Sequence, residues 1–145
     1  MSDLPVQALQ TALAAEHAAV WGYGLASAFL PPQSDDKLTE GSAAHRARRD
    51  ATERMLRDAG VAPVPAAPGY LTPEPVTDVA SAVAMVTTLE TDAAVAWRSV
   101  VERSPADPAI RSAALDALTG AAVRATRWRA AVRNDRLTVP FPGLP

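Results

Sequence analysis

The stretch ALAAEHAAVWGYGL, from Ala12 to Leu25, decides the fold of this chain. Its apolar residues recur with helical spacing, and Glu16 falls on the same stripe as Leu13 and Val20. A carboxylate on the buried face of a helix loses its hydration, which costs several kcal/mol unless a cation or hydrogen-bond donors compensate. The stretch therefore predicts a helix that places one acid inside a helical domain.

Four helical patterns follow one another along the chain, and no segment alternates like a strand. Pro31-Pro32 ends the first pattern, and Gly60 follows the second. The last pattern begins with Asp107 as the cap and Pro108 at the first helical position. Helices of this length span about 37 Å at the usual rise per residue. The predicted helices cover about residues 4–30, 35–59, 77–103 and 108–133.

The connections between these helices predict how they are arranged. Short turns after the first and third helices favour two antiparallel hairpins. The segment VAPVPAAPGYLTPEPV, residues 61–76, is rich in proline and predicts an extended crossover between the hairpins. The sequence thus predicts an all-α single domain over residues 1–145, an antiparallel four-helix bundle with one long Pro-rich crossover, which is the connectivity of ferritin-like folds. Residues 134–145 are predicted to form an extended tail along the bundle.

The composition narrows the classes of function. A formal net charge of −2 favours neither nucleic acid nor an acidic membrane surface as a partner. The absence of cysteine excludes disulfides, thiol catalysis and cysteine-ligated metals. The N-terminal residues lack the pattern of a signal peptide, and no long uncharged apolar window indicates a membrane span. We therefore expect a soluble, cytoplasmic protein with no nucleic-acid or membrane partner.

Glu16, His45 and Glu90 are polar residues on the apolar stripes of the first three helices. All three lie near mid-helix, so we expect them to meet at mid-height in the bundle. Two kinds of cation can neutralise the carboxylates. The first is a metal such as iron, manganese or zinc held by these three residues. The second is Arg49, which follows His45 by four positions and projects from the same face. We favour the arginine because a guanidinium needs no cofactor.

The arrangement resembles the ferritin-like superfamily, whose di-iron members supply a Glu from two helices and a Glu-x-x-His pair from each of the other two. Glu16 and Glu90 match the lone glutamates, and His45 matches one histidine. Ser42 stands where the glutamate of that pair is expected, and the fourth helix has Asp116 as its one acid. The resemblance implies a degenerate metal centre.

Three segments are also similar to an uncharacterised ferritin-like domain family of bacteria, a domain of unknown function. They are AEHAAVWGYG in the first helix, HRARRD in the second, and AAVRATRWRAA with VPFPGLP at the end of the chain. The resemblance spans nearly the whole chain. It implies a ferritin-like bundle and no established activity.

Three hypotheses of function follow. The first is a binding or assembly module whose metal centre is replaced by a polar core of Glu16, His45, Arg49 and Glu90, with no cofactor and no catalytic residue. The alternative is a metal-dependent oxidoreductase that holds iron or manganese, as a mononuclear or incomplete di-metal site, through Glu16, His45 and Glu90. The third is a structural homodimer that uses the faces bearing the tryptophans, which are Trp21, Trp97 and Trp128. No phosphate-binding loop, nucleophile elbow or H-E-x-x-H motif occurs.

Overall fold

The computed structural model describes residues 4–132 and 140–144. Within these residues the chain forms four α-helices and one short 3₁₀ turn, with no strand. The predicted all-α class with four helices is therefore confirmed. The helices are α1 (Val6–Ala26), α2 (Asp35–Asp58), α3 (Val79–Glu102) and α4 (Pro108–Ala131), and the 3₁₀ turn covers Pro32–Ser34.

Local chemistry sets the helix ends. The Asp78 side chain accepts a hydrogen bond from the Ser81 amide at 2.8 Å, and the Ser81 hydroxyl accepts one from the Asp78 amide, which completes a capping box for α3. Asp107 caps α4 through two backbone amides, with Pro108 at the first helical position. Gly60 adopts a φ of 76° just beyond α2, a conformation that favours glycine.

Two predicted details differ from the structure. The first helix ends at Ala26 rather than near residue 30, and a turn carries the chain on to Pro31. Its N-cap position is Pro5, which offers no side-chain cap. Residues 1–3 and most of the predicted tail lie outside the described residues. The described part of the tail includes Gly143, which is buried with a φ of 88°.

In the part of the chain that the structure describes, the core consists of two apolar clusters. One contains Leu9 and Leu13 of α1 together with Leu56, Trp97 and Ile110 from the other helices. The second cluster draws on the opposite halves of the same four helices, with Tyr23, Leu38, Val83, Val86 and Trp128. Between the two clusters, α1, α2 and α3 place the buried polar side chains of Glu16, His45 and Glu90. The core is therefore divided by a polar layer.

Direct packing joins α1 to α2 and α3, and α3 to α4. Side chains link α2 to α4, since Arg48 donates to the Ala113 carbonyl at 3.2 Å and Arg127 donates to Glu40 at 2.9 Å. The four helices thus surround the polar layer. By length and composition α3 is apolar enough to cross a membrane, a test that core helices also pass. Here it packs against α1 and α4.

The Pro-rich segment between α2 and α3 lies against α1. The Gln10 side chain donates to the Ala62 carbonyl at 2.8 Å and accepts from the Val64 amide at 2.7 Å. The His17 ring lies 3.0 Å from the Val64 carbonyl, and Trp21 packs on Tyr70. Since a proline-rich segment has few amides to satisfy, these side chains fix its position.

Gln10→Ala is expected to lower the free energy of unfolding by about 1–2 kcal/mol, because two hydrogen bonds to the crossover are lost. Urea unfolding measures this loss, and hydrogen exchange at the Val64 amide should accelerate. Gln7→Ala is the matched control, since Gln7 is an exposed residue of the same helix. Equal stability of the two variants would contradict this account of the crossover.

Candidate functional site

His45 lies between the two buried glutamates. Its Nδ1 is hydrogen-bonded to Glu16 Oε2, and its Nε2 lies 2.7 Å from Glu90 Oε1. The exposed fractions are 2% for Glu16, 1% for His45 and 0% for Glu90. The structure therefore brings together these three residues from α1, α2 and α3 in one layer. Both ring nitrogens of His45 donate to carboxylates when the ring is protonated.

Aromatic side chains supply further donors to the same layer. Trp97 Nε1 donates to Glu16 Oε1 at 2.7 Å, and the Tyr23 hydroxyl donates to Glu90 Oε1 at 2.7 Å. Trp128 Nε1 in turn donates to the Tyr23 hydroxyl at 2.9 Å. Sequence reasoning missed all three donors. An indole or a phenol on a buried stripe could have indicated them, because a buried Trp N–H or Tyr O–H usually finds a hydrogen-bond partner.

These contacts correct the prediction that the tryptophan faces form a dimer surface. Trp97 and Trp128 are 2% and 1% exposed, and both donate within the core. Trp21 is partly buried against Tyr70 of the crossover. The homodimer stays a prediction, but Trp97 and Trp128 do not provide its surface.

The guanidinium beside the glutamates comes from α4 and not from α2. Arg124 Nε donates to Glu90 Oε1 at 2.9 Å, and the Arg124 side chain is 16% exposed. Arg49 instead donates to its neighbour Asp50 at 2.8 Å, with a side chain 29% exposed. The predicted place of Arg49 in the polar core is therefore wrong. We define the polar network as Glu16, His45, Glu90, Arg124, Tyr23, Trp97 and Trp128.

The protonation states follow from burial and from the neighbouring charges. Burial alone would lower the pKa of His45, but hydrogen bonds to Glu16 and Glu90 and their negative charges raise it to about 9. Burial alone would raise the pKa of Glu90, but His45 and Arg124 hold that pKa below its ordinary value. Burial and Glu90 raise the pKa of Tyr23, so the phenol keeps its proton. At neutral pH the Glu90 carboxylate therefore faces two cations, His45 and Arg124.

Close packing at one glycine positions the Tyr23 hydroxyl. Gly41 of α2 lies against the Tyr23 ring, and a Cβ at this position would overlap two ring carbons and the hydroxyl oxygen of Tyr23. Glycine weakens a helix interior, yet α2 continues through Gly41 from Asp35, and the missing side chain leaves room for the ring.

The donor set does not fit the predicted metal site. Each His45 nitrogen faces a carboxylate oxygen, so neither presents a lone pair to an ion, and Arg124 already neutralises Glu90. Ser42 supplies no carboxylate, and Asp116 is exposed on α4. Within residues 4–132 and 140–144, no group of three or more His, Asp or Glu side chains is arranged to hold a metal ion.

One buried oxygen of the network has no partner among the described residues. Glu90 Oε1 accepts from Tyr23, His45 and Arg124, whereas Glu90 Oε2 accepts from none of them. Both oxygens of Glu16, in contrast, have donors. Buried carboxylate oxygens are rarely left without a donor in native proteins. Among the buried polar atoms of the network, this oxygen is the one without a hydrogen-bond partner in the described residues.

Comparisons with known proteins agree with the helical architecture. Residues 8–145 match a family described as a domain of unknown function, DUF4439. The chain is also similar to the crystal structure of rv2844, a conserved hypothetical protein from Mycobacterium tuberculosis. The identity is 40%, the TM-score is 0.85, and the match covers 90% of this chain and 98% of that one. No curated protein sequence matches the chain.

Arg124→Met is expected to lower the free energy of unfolding by about 3–5 kcal/mol, because it leaves Glu90 buried without its guanidinium. Arg49→Met is the matched control and should cost less than about 1 kcal/mol, as for a half-exposed pair. Urea unfolding of both variants measures the difference. A larger loss in the Arg49 variant would refute the assignment of Arg124.

Stability should also fall as the pH rises through the titration of His45. The pKa of His45 is higher in the folded chain, at about 9, than its ordinary value of 6.5, so the protonated ring favours the folded state. Its contribution is complete below pH 6.5 and lost as the pH approaches 9. The difference between these two pKa values corresponds to a loss of roughly 3 kcal/mol in the free energy of unfolding. Urea unfolding at a series of pH values should show this decline.

Two histidine variants control that measurement. His45→Gln should lack the decline, because it removes the titrating ring from the network. His17→Gln should retain it, because His17 lies against the crossover rather than in the network. A wild-type stability that does not change over this pH range would show that His45 is not held as a cation.

Proposed function

We propose that this chain, which belongs to the DUF4439 family, is a ferritin-like four-helix bundle that acts as a binding module without a metal centre. The observation that carries the proposal is the position of His45 between Glu16 and Glu90, with Arg124 completing the charge balance. In di-iron members of this fold, carboxylates and histidines of the four helices converge on metal at such a place. Here two protein cations neutralise the carboxylates instead.

The distribution of the core residues supports an antiparallel arrangement. The N-terminal halves of α1 and α4 supply Leu9 and Ile110 to one apolar cluster, whereas the N-terminal halves of α2 and α3 supply Leu38 and Val83 to the other. We infer that α1 and α4 run in one direction and α2 and α3 in the other. The crossover of residues 61–76 then passes from one end of the bundle to the other along α1, as in ferritin-like connectivity.

The burial of the network argues against a catalytic role for it. A general base must reach the proton that it removes from a substrate, directly or through one water molecule. His45 is 1% exposed, and both of its nitrogens are engaged by carboxylates. The network is suited to holding four helices in one register. The proposed function is therefore binding by the bundle rather than catalysis in the network. We propose a cytoplasmic location for this module.

The metal content of the protein tests the proposal. Protein produced in medium supplemented with iron and manganese should carry far less than one metal ion per chain, measured by plasma mass spectrometry. It should not accelerate the oxidation of ferrous iron by oxygen. The physical reason is that Arg124 and protonated His45 repel a cation from Glu16 and Glu90.

Two glutamate variants make that measurement decisive. Glu90 lies in the network, whereas Glu40 is exposed and pairs with Arg127 at the surface. Stoichiometric metal that is lost in folded Glu90→Gln and kept in Glu40→Gln would establish the alternative, a metal-dependent oxidoreductase. Metal present equally in both variants would indicate binding elsewhere on the chain.

A further inference from the structure

A cavity of about 420 Å³ lies between α3 and α4, beside the polar network. Small and apolar residues of the two helices form most of its wall, and Pro142 and Gly143 of the C-terminal segment contribute to it. Glu90 lines the cavity as well. Cavities of a few hundred Å³ with apolar walls and few polar groups are typical sites for small organic ligands.

Glu90 supplies the polar group that a ligand would recognise. Its carboxylate is fully buried, and its Oε2 accepts no hydrogen bond from the described residues. The network occupies only Oε1. A donor that enters from the cavity would satisfy Oε2 without disturbing the three hydrogen bonds on the other oxygen. Glu90 is thus both a lining residue of the cavity and the residue that carries the unpartnered oxygen.

The charges around the cavity select the class of that donor. Arg124 already pairs with Glu90, and Arg129 lines the cavity, where it donates to Thr91 at 3.3 Å. An added ammonium group would lie near the Arg124 guanidinium, and an added carboxylate would lie against Glu90. A neutral hydroxyl avoids both repulsions and still donates one hydrogen bond.

We propose that this cavity binds a small, mainly apolar alcohol, whose hydroxyl donates to Glu90 Oε2 while its hydrocarbon part lies against α3 and α4. Ala122 and Val123 of α4 are among the residues that would contact the hydrocarbon part. The inference rests on the proposed function, because it names the class of ligand that the binding module takes.

Calorimetric titration with n-octanol tests the proposal, with heptyl methyl ether as a probe of the same size that lacks a donor. The alcohol should bind at least about tenfold more tightly, as expected for one hydrogen bond to a buried carboxylate. Equal affinities would overturn the role of Glu90 Oε2. Tighter binding of octylammonium or octanoate than of n-octanol would overturn the choice of a neutral ligand.

Two alanine variants locate the binding. Ala122→Leu narrows the cavity without touching the hydrogen bonds of Glu90, and it should abolish n-octanol binding. Ala43→Leu makes the same change at an exposed position of α2, away from the cavity, and should leave the affinity unchanged. Binding that survives Ala122→Leu, or no binding to the folded wild-type protein, would refute the proposed site.

The titration and the metal measurement are made on the same purified protein, so their failures are distinct. A metal-free sample that does not bind n-octanol overturns the ligand class and leaves the assignment of the network intact. A sample with stoichiometric metal bound through Glu90 overturns the proposed function itself.

Discussion

The hydrogen bonds of His45 to Glu16 and Glu90 are the interaction on which the rest of the structure depends. They join α1, α2 and α3 at one level, and Arg124 adds α4 to it. Two carboxylates removed from water need two cations nearby, and this layer supplies both. A slip of one helix by a turn, about 5.4 Å, would leave a carboxylate unpaired. The apolar clusters on the two sides of the layer stabilise the folded chain but tolerate several registers of the helices, whereas the polar layer selects a single register.

Much of this layer could be predicted from helical periodicity. Glu16 and Glu90 each stand on a stripe of apolar residues spaced by three and four, so their burial follows from the pattern alone. The spacing of Arg49 relative to His45 was a weaker guide. Four residues return to the same face but move about 6 Å along the axis, which is one full turn away from the carboxylates. At that level Arg49 lies beside Asp50 and pairs with it, half-exposed.

The contribution of α4 could not be found by looking for metal ligands, because its network residue is a cation. Arg124 continues the buried stripe of Ala117, Ala121 and Trp128, with the same alternation of three and four positions. Helical periodicity alone predicts that stripe. It does not predict the pairing of Arg124 with Glu90, because this pairing depends on which helices are adjacent in space. The hydrogen bonds of Trp97 and Trp128 depend on the same long-range packing.

The two buried glutamates differ in whether both carboxylate oxygens have a donor, and this difference follows from the alanine-rich composition of the helices. Glu16 faces His45 and Trp97, and each of its oxygens has a donor. Glu90 faces α4, where Ala122 and Ala125 are too short to fill the space or to donate a hydrogen bond. The alanine-rich helices pack their backbones closely but leave a cavity where two small residues meet. Because three donors already converge on Oε1, no side chain of the network remains for Oε2. Because α4 offers few large side chains here, a buried carboxylate oxygen is left without a donor beside a cavity. Apolar walls with a few polar groups are typical of small-molecule sites.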